Sequence, residues 1–181
     1  GAAVVCVCGA VGIGCRAVGA IFLAWYGSWS QRRRYRQQSG WHPELVSVLI
    51  AAYNEEKMIK RTVDQIFRFD YPFKVQLVVV NDGSKDKTAE VLAVLAKQYC
   101  SEDKQLQVIN QENTGKGGAL NNPIHNRLLK GEVTVTLDAD TLVDKHTIPM
   151  LVWPFKDPLV GAVAGRIKVL NYGKTPWSWR L

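Results

Sequence analysis

At 181 residues the chain is long enough to bury the core of one modest domain plus an extension. Its formal charge of +7 does not require nucleic acid, because four of the 23 Lys and Arg residues fall in the run 32–36. No aromatic and basic residues interleave along a strand as in the common RNA-binding modules, and no recognition-helix pattern is present. Cys6, Cys8 and Cys15 lie in an apolar segment and Cys100 ends a helical pattern. That usage excludes a disulfide framework and a Cys-x-x-Cys metal pair, and fits a reduced cytosolic domain.

Residues 1–29 are nearly continuously apolar and match the roughly 20 residues of a spanning helix, so a transmembrane helix is expected there. Arg16 interrupts it at a cost of about 2.5 to 3.5 kcal/mol, which the Gly and Ala around it offset only in part. A buried helix of a larger assembly is the other reading. Gln31-Arg-Arg-Arg-Tyr-Arg36 follows directly, and the positive-inside bias then places everything downstream in the cytoplasm. A cleavable signal peptide carries its positive charge before the apolar stretch, so it is disfavoured. Residues 30–43 read as a basic juxtamembrane linker able to meet anionic lipid headgroups.

From residue 44 onward one grammar repeats: apolar run, polar break, helical period. Val46-Ser-Val-Leu-Ile-Ala-Ala-Tyr53 predicts a strand that breaks at Asn54-Glu55-Glu56, after which Ile59, Val63, Ile66 and Phe67 share a helical face. Val75-Gln-Leu-Val-Val-Val80 predicts a second strand, breaking at Asn81-Asp82-Gly83-Ser84 before Val91, Leu92, Leu95 and Tyr99 mark a second helix. A third strand over 106–110 leads to Thr114-Gly115-Lys116-Gly117-Gly118, where glycines permit close backbone approach and the lysine can neutralise phosphate. Pro123 removes a helical hydrogen bond, so a helix is expected to start or kink there. His125 beside it has no Cys or His partner at metal spacing and reads as structural or solvated. Such alternation predicts an α/β fold, right-handed crossovers and a mainly parallel sheet.

Asp138-Ala139-Asp140 stands where the alternation Val133, Val135, Leu137 stops, at the carboxyl end of a buried strand, where open α/β sheets bind ligands. Two acids one residue apart can divide a task. One orients a ligand hydroxyl, and the other helps to hold a hard divalent cation against a diphosphate.

Five segments in order are similar to the successive motifs of family 2 glycosyltransferases: Val46-Ser-Val-Leu-Ile-Ala-Ala-Tyr-Asn-Glu-Glu56, Val80-Asn-Asp-Gly-Ser84, Gly115-Lys-Gly-Gly-Ala-Leu-Asn121, Leu137-Asp-Ala-Asp-Thr141 and Val160-Gly-Ala-Val-Ala-Gly165. The chain most resembles the membrane processive polysaccharide synthases: hyaluronan, cellulose, chitin and poly-N-acetylglucosamine synthases. The resemblance implies a GT-A-like, Rossmann-like sheet with helices on both faces. It also makes residues 44–181 the nucleotide-sugar-binding part of such a domain, ending before the acceptor half with its catalytic acid and Gln-x-x-Arg-Trp motif. The chain is accordingly expected to be a fragment or processed product that does not complete transfer alone.

By that resemblance Tyr53 stacks on uracil, Glu55 lies near the nucleoside, Asp82 accepts from the uracil imide, and Lys116 approaches the diphosphate. Asp138 faces the nucleoside or donor sugar, and Asp140 reaches the Mg²⁺ or Mn²⁺ ion. Each has a plainer alternative: an edge-of-core tyrosine, a glutamate serving the helix dipole, turn or cap chemistry at Asp82, an exposed lysine, a solvated acidic turn. Asn81 stands where many relatives carry a first acid, which leaves the base contact to Asp82. The function implied is inverting, metal-dependent transfer from a UDP-sugar, UDP-GlcNAc foremost, to a growing β-linked polysaccharide at the plasma membrane. A polyprenyl- or dolichyl-phosphate sugar transferase is the alternative enzyme. A truncated nucleotide-binding or structural module is the alternative outside enzymes.

Overall fold

The computed structural model describes residues 3–6, 41–101 and 104–165. The strands are β1 (Ala3–Cys6), β2 (Leu45–Ala52), β3 (Lys74–Asp82), β4 (Lys104–Gln111) and β5 (Val133–Asp138). The helices are α1 (Ile59–Arg68), α2 (Thr88–Gln98), α3 (Gly115–His125) and α4 (Thr147–Val152), with a 3₁₀ turn at Trp153–Lys156. The five strands form one sheet in the order β1-β5-β2-β3-β4, and every pairing within it is parallel. The predicted α/β class and parallel sheet are therefore observed.

Period-two alternation sorts the side chains. Val46, Val48 and Ile50 of β2, Val75, Leu77 and Val79 of β3 and Val133, Val135 and Leu137 of β5 enter the larger core cluster. Helices α1, α2 and α4 cover that face with Ile59, Val63, Ile66, Phe67, Leu92, Leu95, Ile148 and Leu151. The opposite face carries Leu49, Val78 and Val80, packed with Ala119 and partly buried Leu120 of α3. Helices thus lie on both faces, as expected.

At the amino edge of the sheet a polar network fastens the chain that enters β5. The Ser47 hydroxyl donates to Gln76 Oε1 (2.7 Å), Gln76 Nε2 donates to the Leu128 carbonyl (2.9 Å), and the Lys130 and Gly131 N–H groups donate to Gln76 Oε1 (2.9 Å) and Ser47 Oγ (2.8 Å). Ser47 and Gln76 are buried, so these bonds satisfy groups that water does not reach.

Two expectations change. Helix α3 starts at Gly115, not at Pro123, and carries the proline in its last turn, two residues before its end. Pro123 cannot donate to the carbonyl four residues back, and the helix ends two residues after it, the Pro123 carbonyl accepting from the Leu128 N–H (2.9 Å). Of the segment expected to span a membrane, only residues 3–6 are described, and they form a strand where a helix was expected. Val4 and Val5 suit a strand, and β5 offers them an open edge with Val4 opposite Thr134. The rest of that segment and the linker before Trp41 lie outside the described residues. Among the described residues no helix is long and apolar enough to cross a membrane.

Candidate active site

β3 follows β2 to one side, whereas β5 returns to pair with β2 on the other, Ala51 standing opposite Asp138. The strand order reverses there, and a crevice opens beyond the carboxyl ends of the two strands. A cavity of about 240 Å³ occupies it, lined by Tyr53, Glu55, Asp82, Lys116, Asp138 and Asp140 together with Ala51, Ala52 and Ala139. All six residues singled out from sequence meet there. Pockets that enclose a drug-sized ligand measure about 300 to 1,000 Å³, so the described residues form an open site that covers only part of such a ligand.

The loops around it are stitched together by side chains. Asn54, with φ of 56°, takes the Lys85 N–H on its Oδ1 (2.8 Å), while its own N–H donates to the Ser84 hydroxyl (3.0 Å). The Glu55 N–H donates to Thr88 Oγ1 (2.9 Å), the Glu56 N–H to Asp86 Oδ2 (3.2 Å), and the Lys87 N–H to Glu56 Oε2 (3.0 Å). Tyr53 and Glu55 therefore sit on a fixed platform. Tyr53 is 45% exposed, more than an edge-of-core tyrosine needs, and leaves ring surface available for stacking. Glu55 stands at the start of α1, its carbonyl accepting the Ile59 N–H (2.9 Å), so its carboxylate both serves the positive end of that helix and lines the cavity.

Asp82 closes β3 and is 3% exposed. Its Oδ1 accepts from Gln111 Nε2 (2.8 Å), the Thr114 N–H (2.9 Å) and the Thr114 hydroxyl (3.3 Å). Burial pushes this carboxyl up, but those bonds, with help from the Gly115 N–H, outweigh it and hold the pKa below its ordinary value. The carboxylate thus fixes the 111–114 loop as well as lining the cavity. Gly83, with φ of 68°, makes this closure possible, since a Cβ there would lie 2.8 Å from the Asn113 nitrogen. Capping of α2 falls to Asp86, which takes the Thr88 N–H (3.0 Å), and not to Asp82. Asn81 is buried, donating from Nδ2 to Asn110 Oδ1 (2.9 Å) across the sheet and accepting the Ser84 N–H (3.3 Å).

Lys116, the second residue of α3, donates to Asp138 Oδ1 at 2.6 Å. Gly115 before it has φ of 79°, which turns the chain into the helix with its positive end beside the cavity. Asp138 and Asp140 flank buried Ala139 in a turn closed by the Thr141 N–H on the Asp138 carbonyl (3.0 Å). His125 is exposed at the far end of α3 and takes no part.

The carboxylates suit a hard divalent cation. Burial, then the negative charges of Asp140 and Asp86, push the Glu55 carboxyl up, so this side of the cavity carries excess negative potential. Among the described residues no three His, Cys, Asp or Glu side chains stand close enough to hold an ion alone. An ion at Asp140 would need further oxygens from a diphosphate and water, and the donor set fits that arrangement.

Residues 47–181 match the sequence profile of glycosyl transferase family 2. The chain belongs to that family. The family is the one that the sequence motifs led us to expect. Poly-β-1,6-N-acetyl-D-glucosamine synthase of Staphylococcus epidermidis is 34% identical over 129 residues, covering 71% of this chain and 30% of the relative. β-Monoglucosyldiacylglycerol synthase of Trichormus variabilis is 32% identical over 167 residues, covering 92% of this chain and 34% of the relative. The chain thus spans about a third of the length of both. The structure is similar to that of the mannosyltransferase PcManGT of Pyrobaculum calidifontis in complex with GDP-Man and Mn²⁺, with a TM-score of 0.60 and 29% identity, covering 78% of this chain and 44% of that one. This GT-A-like likeness accords with the fold expected from the sequence.

The sequence reading missed the residues that hold the site: Thr62, Asp86, Thr88, Gln111 and Thr114. Thr114 headed the glycine-lysine motif without being given a role, and Thr62 left a trace as the one polar residue in the apolar spacing of α1, where a buried hydroxyl requires a partner.

Proposed function

We propose that the chain supplies the donor-binding half of a membrane-attached hexosyltransferase that takes a nucleoside-diphosphate sugar, UDP-GlcNAc foremost, and extends a β-linked polysaccharide with inversion. The observation that carries this reading is the convergence of Tyr53, Glu55, Asp82, Lys116, Asp138 and Asp140 on one cavity at the reversal of strand order. Tyr53 offers a ring face for the base and Asp82 an acceptor beneath it. Lys116 exchanges its contact with Asp138 for the diphosphate, leaving Asp138 to take donor hydroxyls. Asp140 holds Mg²⁺ or Mn²⁺, which would neutralise the charge that develops on the departing diphosphate. Attack with inversion also needs a base for the acceptor hydroxyl. The cavity residues described provide donor contacts, and we assign that base to the acceptor half of a longer chain.

Membrane attachment is drawn from sequence alone, from the apolar residues 1–29 followed by the arginines of 32–36, with the domain on the cytoplasmic side of the plasma membrane, where nucleotide sugars are made; it requires residues 3–6 to leave the edge of β5, since a single span cannot return to the same sheet. The polymer acceptor is supported by likeness to the N-acetylglucosamine polymer synthase. A second reading, single transfer to a lipid acceptor, is favoured by the glucosyldiacylglycerol synthase, which matches more of the chain at similar identity.

Calorimetric titration with UDP, GDP and ADP, each with and without Mn²⁺, tests the proposal. UDP is expected to bind in preference, and more tightly with the ion. Equal affinity for all three would remove the base assignment. A preference for GDP would move the donor towards that held by the mannosyltransferase.

A further inference from the structure

Thr62 lies in the middle of α1 on its buried face, among Ile59, Val63, Ile66 and Phe67, and is fully buried. A threonine in a helix ordinarily returns its hydroxyl to the carbonyl four residues back. Here that carbonyl, of Met58, is 3.3 Å from Oγ1 and already receives the Thr62 N–H at 3.1 Å. The carbonyl of Ala139 is 2.7 Å from the same hydroxyl, which has only one proton to give. The shorter contact takes it, across 77 positions of sequence.

We infer that Thr62 is a positioning residue for the acidic turn, its hydroxyl fixing the peptide that joins Ala139 to Asp140. A peptide unit is planar, so holding its carbonyl also fixes the plane of the following N–H and the direction in which Asp140 leaves the main chain. Ala139 is 4% exposed, and water cannot replace the threonine as donor. Among the described residues the main chain of the turn has one further hydrogen bond, the Thr141 N–H on the Asp138 carbonyl (3.0 Å), which closes the turn around the peptide that Thr62 holds. The same helix starts from the loop bearing Glu55, whose carbonyl accepts the Met58 and Ile59 N–H groups (3.1 and 2.9 Å). Thr62 thereby sets the distance between the two acidic sides of the cavity. Its effect on metal binding rests on the assignment of Asp140 as the ion's ligand.

Two measurements on the chain, with Thr62→Val and Thr62→Ser, decide the matter. Valine keeps the shape and leaves the Ala139 carbonyl without a donor; serine keeps the donor. Hydrogen exchange at the Thr141 amide reads the turn without any ligand. Thr62→Val is expected to speed it at least about ten-fold relative to core amides of β3, and Thr62→Ser to restore it, since local opening is read amide by amide. Titration of Mn²⁺ in the presence of UDP reads the consequence. Thr62→Val should raise the ion concentration for half-maximal effect roughly ten- to a hundred-fold, as loss of an orienting partner does at metal sites, while ion-free UDP affinity stays within about two-fold. Unchanged Thr141 exchange in Thr62→Val, or a serine variant that behaves like valine, overturns the inference. If exchange responds as expected but no protein shows a Mn²⁺ effect, the positioning role stands and the metal assignment of Asp140 falls. A lowered melting temperature with unaltered local exchange would reduce Thr62 to a core contact and overturn it likewise.

Discussion

Lys116 and Asp138 form an ion pair across the mouth of the cavity, Nζ to Oδ1 at 2.6 Å, joining the start of α3 to the end of β5. The lysine side chain is 58% exposed and the aspartate 32%, so solvent screens the pair and it contributes at most about 1 kcal/mol to folding. Both partners also line the donor cavity. The pair is therefore better placed to be exchanged than to hold the fold.

Replacing Lys116 with Ala should leave the melting temperature nearly unchanged while weakening UDP binding. Uridine, which has no phosphate, should bind both proteins alike. An equal loss for uridine and UDP would show that the lysine serves the nucleoside or the loop. The loss on UDP should shrink with added salt, since an exposed cation acts through a screened field.

Asp82 gives a pH dependence whose sign follows from its bonds. Its folded pKa lies below its ordinary value of 3.8, because hydrogen bonds from Thr114 and Gln111 outweigh burial. The native state therefore favours the ionised form, and this stabilisation is present above the unfolded pKa and lost as pH falls through the folded one. Asp82→Asn should be less stable at neutral pH, by about 1 to 3 kcal/mol if the amide turns a donor towards the Thr114 N–H. Its stability should also fall less steeply than that of the parent below about pH 4. Parallel acid-unfolding curves would refute the assignment. In Asp82→Ala, UDP should lose its advantage over GDP and ADP in protein that remains folded at the assay temperature.

Much of this was readable because each site residue stands where an apolar pattern breaks. Tyr53 follows the last residue of β2, Asp82 is the last of β3, and Asp138 ends β5. The apolar runs 46–53 and 75–80 marked the strands, and the spacing of Ile59, Val63, Ile66 and Phe67 assigned α1. What was not readable depends on contacts distant in sequence. The return of β5 to β2 is set by crossovers and not by local pattern, and Thr62 looks ordinary until Ala139 is seen beside it. Residues 3–6 lie in an apolar run without a distinguishing period, where strand and helix cannot be told apart. Pro123 misled because a proline marks a helix boundary without saying which end, and here the helix stops two residues after it instead of starting at it.

At the opposite edge of the sheet, Gln76→Leu should destabilise the fold by at least about 2 kcal/mol. It strands the Lys130 N–H, the Leu128 carbonyl and the Ser47 hydroxyl away from water. The polar network lies far from the carboxyl ends of the strands. UDP affinity measured well below the melting temperature should hence be retained. Loss of binding in folded Gln76→Leu would mean that the α3–β5 connection shapes the cavity as well as the core.

The orientation proposed from the arginines of 32–36 has a simple check in cells. Protease added outside intact cells should leave the domain from Trp41 onward uncut, and substituting the four arginines should loosen that protection, because Lys and Arg bias in short flanking segments sets topology. Digestion from outside in the parent protein would refute the cytoplasmic placement and with it access to cytosolic donors.

Asp138 and Asp140 are separated by one buried alanine, yet the two carboxylates should give different phenotypes. Asp140 is exposed at the cavity and lies outside the core clusters, so Asp140→Ala should fold normally. It should also abolish the Mn²⁺ dependence of UDP binding. Its removal should lower the pKa of Glu55, because Asp140 contributes to holding that carboxyl up after burial itself. Carboxylate titration followed by NMR would report this shift without any metal. Asp138→Ala should weaken nucleotide binding even in the absence of the ion, since in the proposed reading this carboxylate takes a hydroxyl of the nucleoside or donor sugar. With the base assigned by proposal to an acceptor half, neither variant nor the parent chain should make polymer by itself. Polymer formation by the purified chain alone would overturn the half-site reading. Unchanged metal-dependent binding in Asp140→Ala would move the ion to another ligand, with Glu55 next to be replaced.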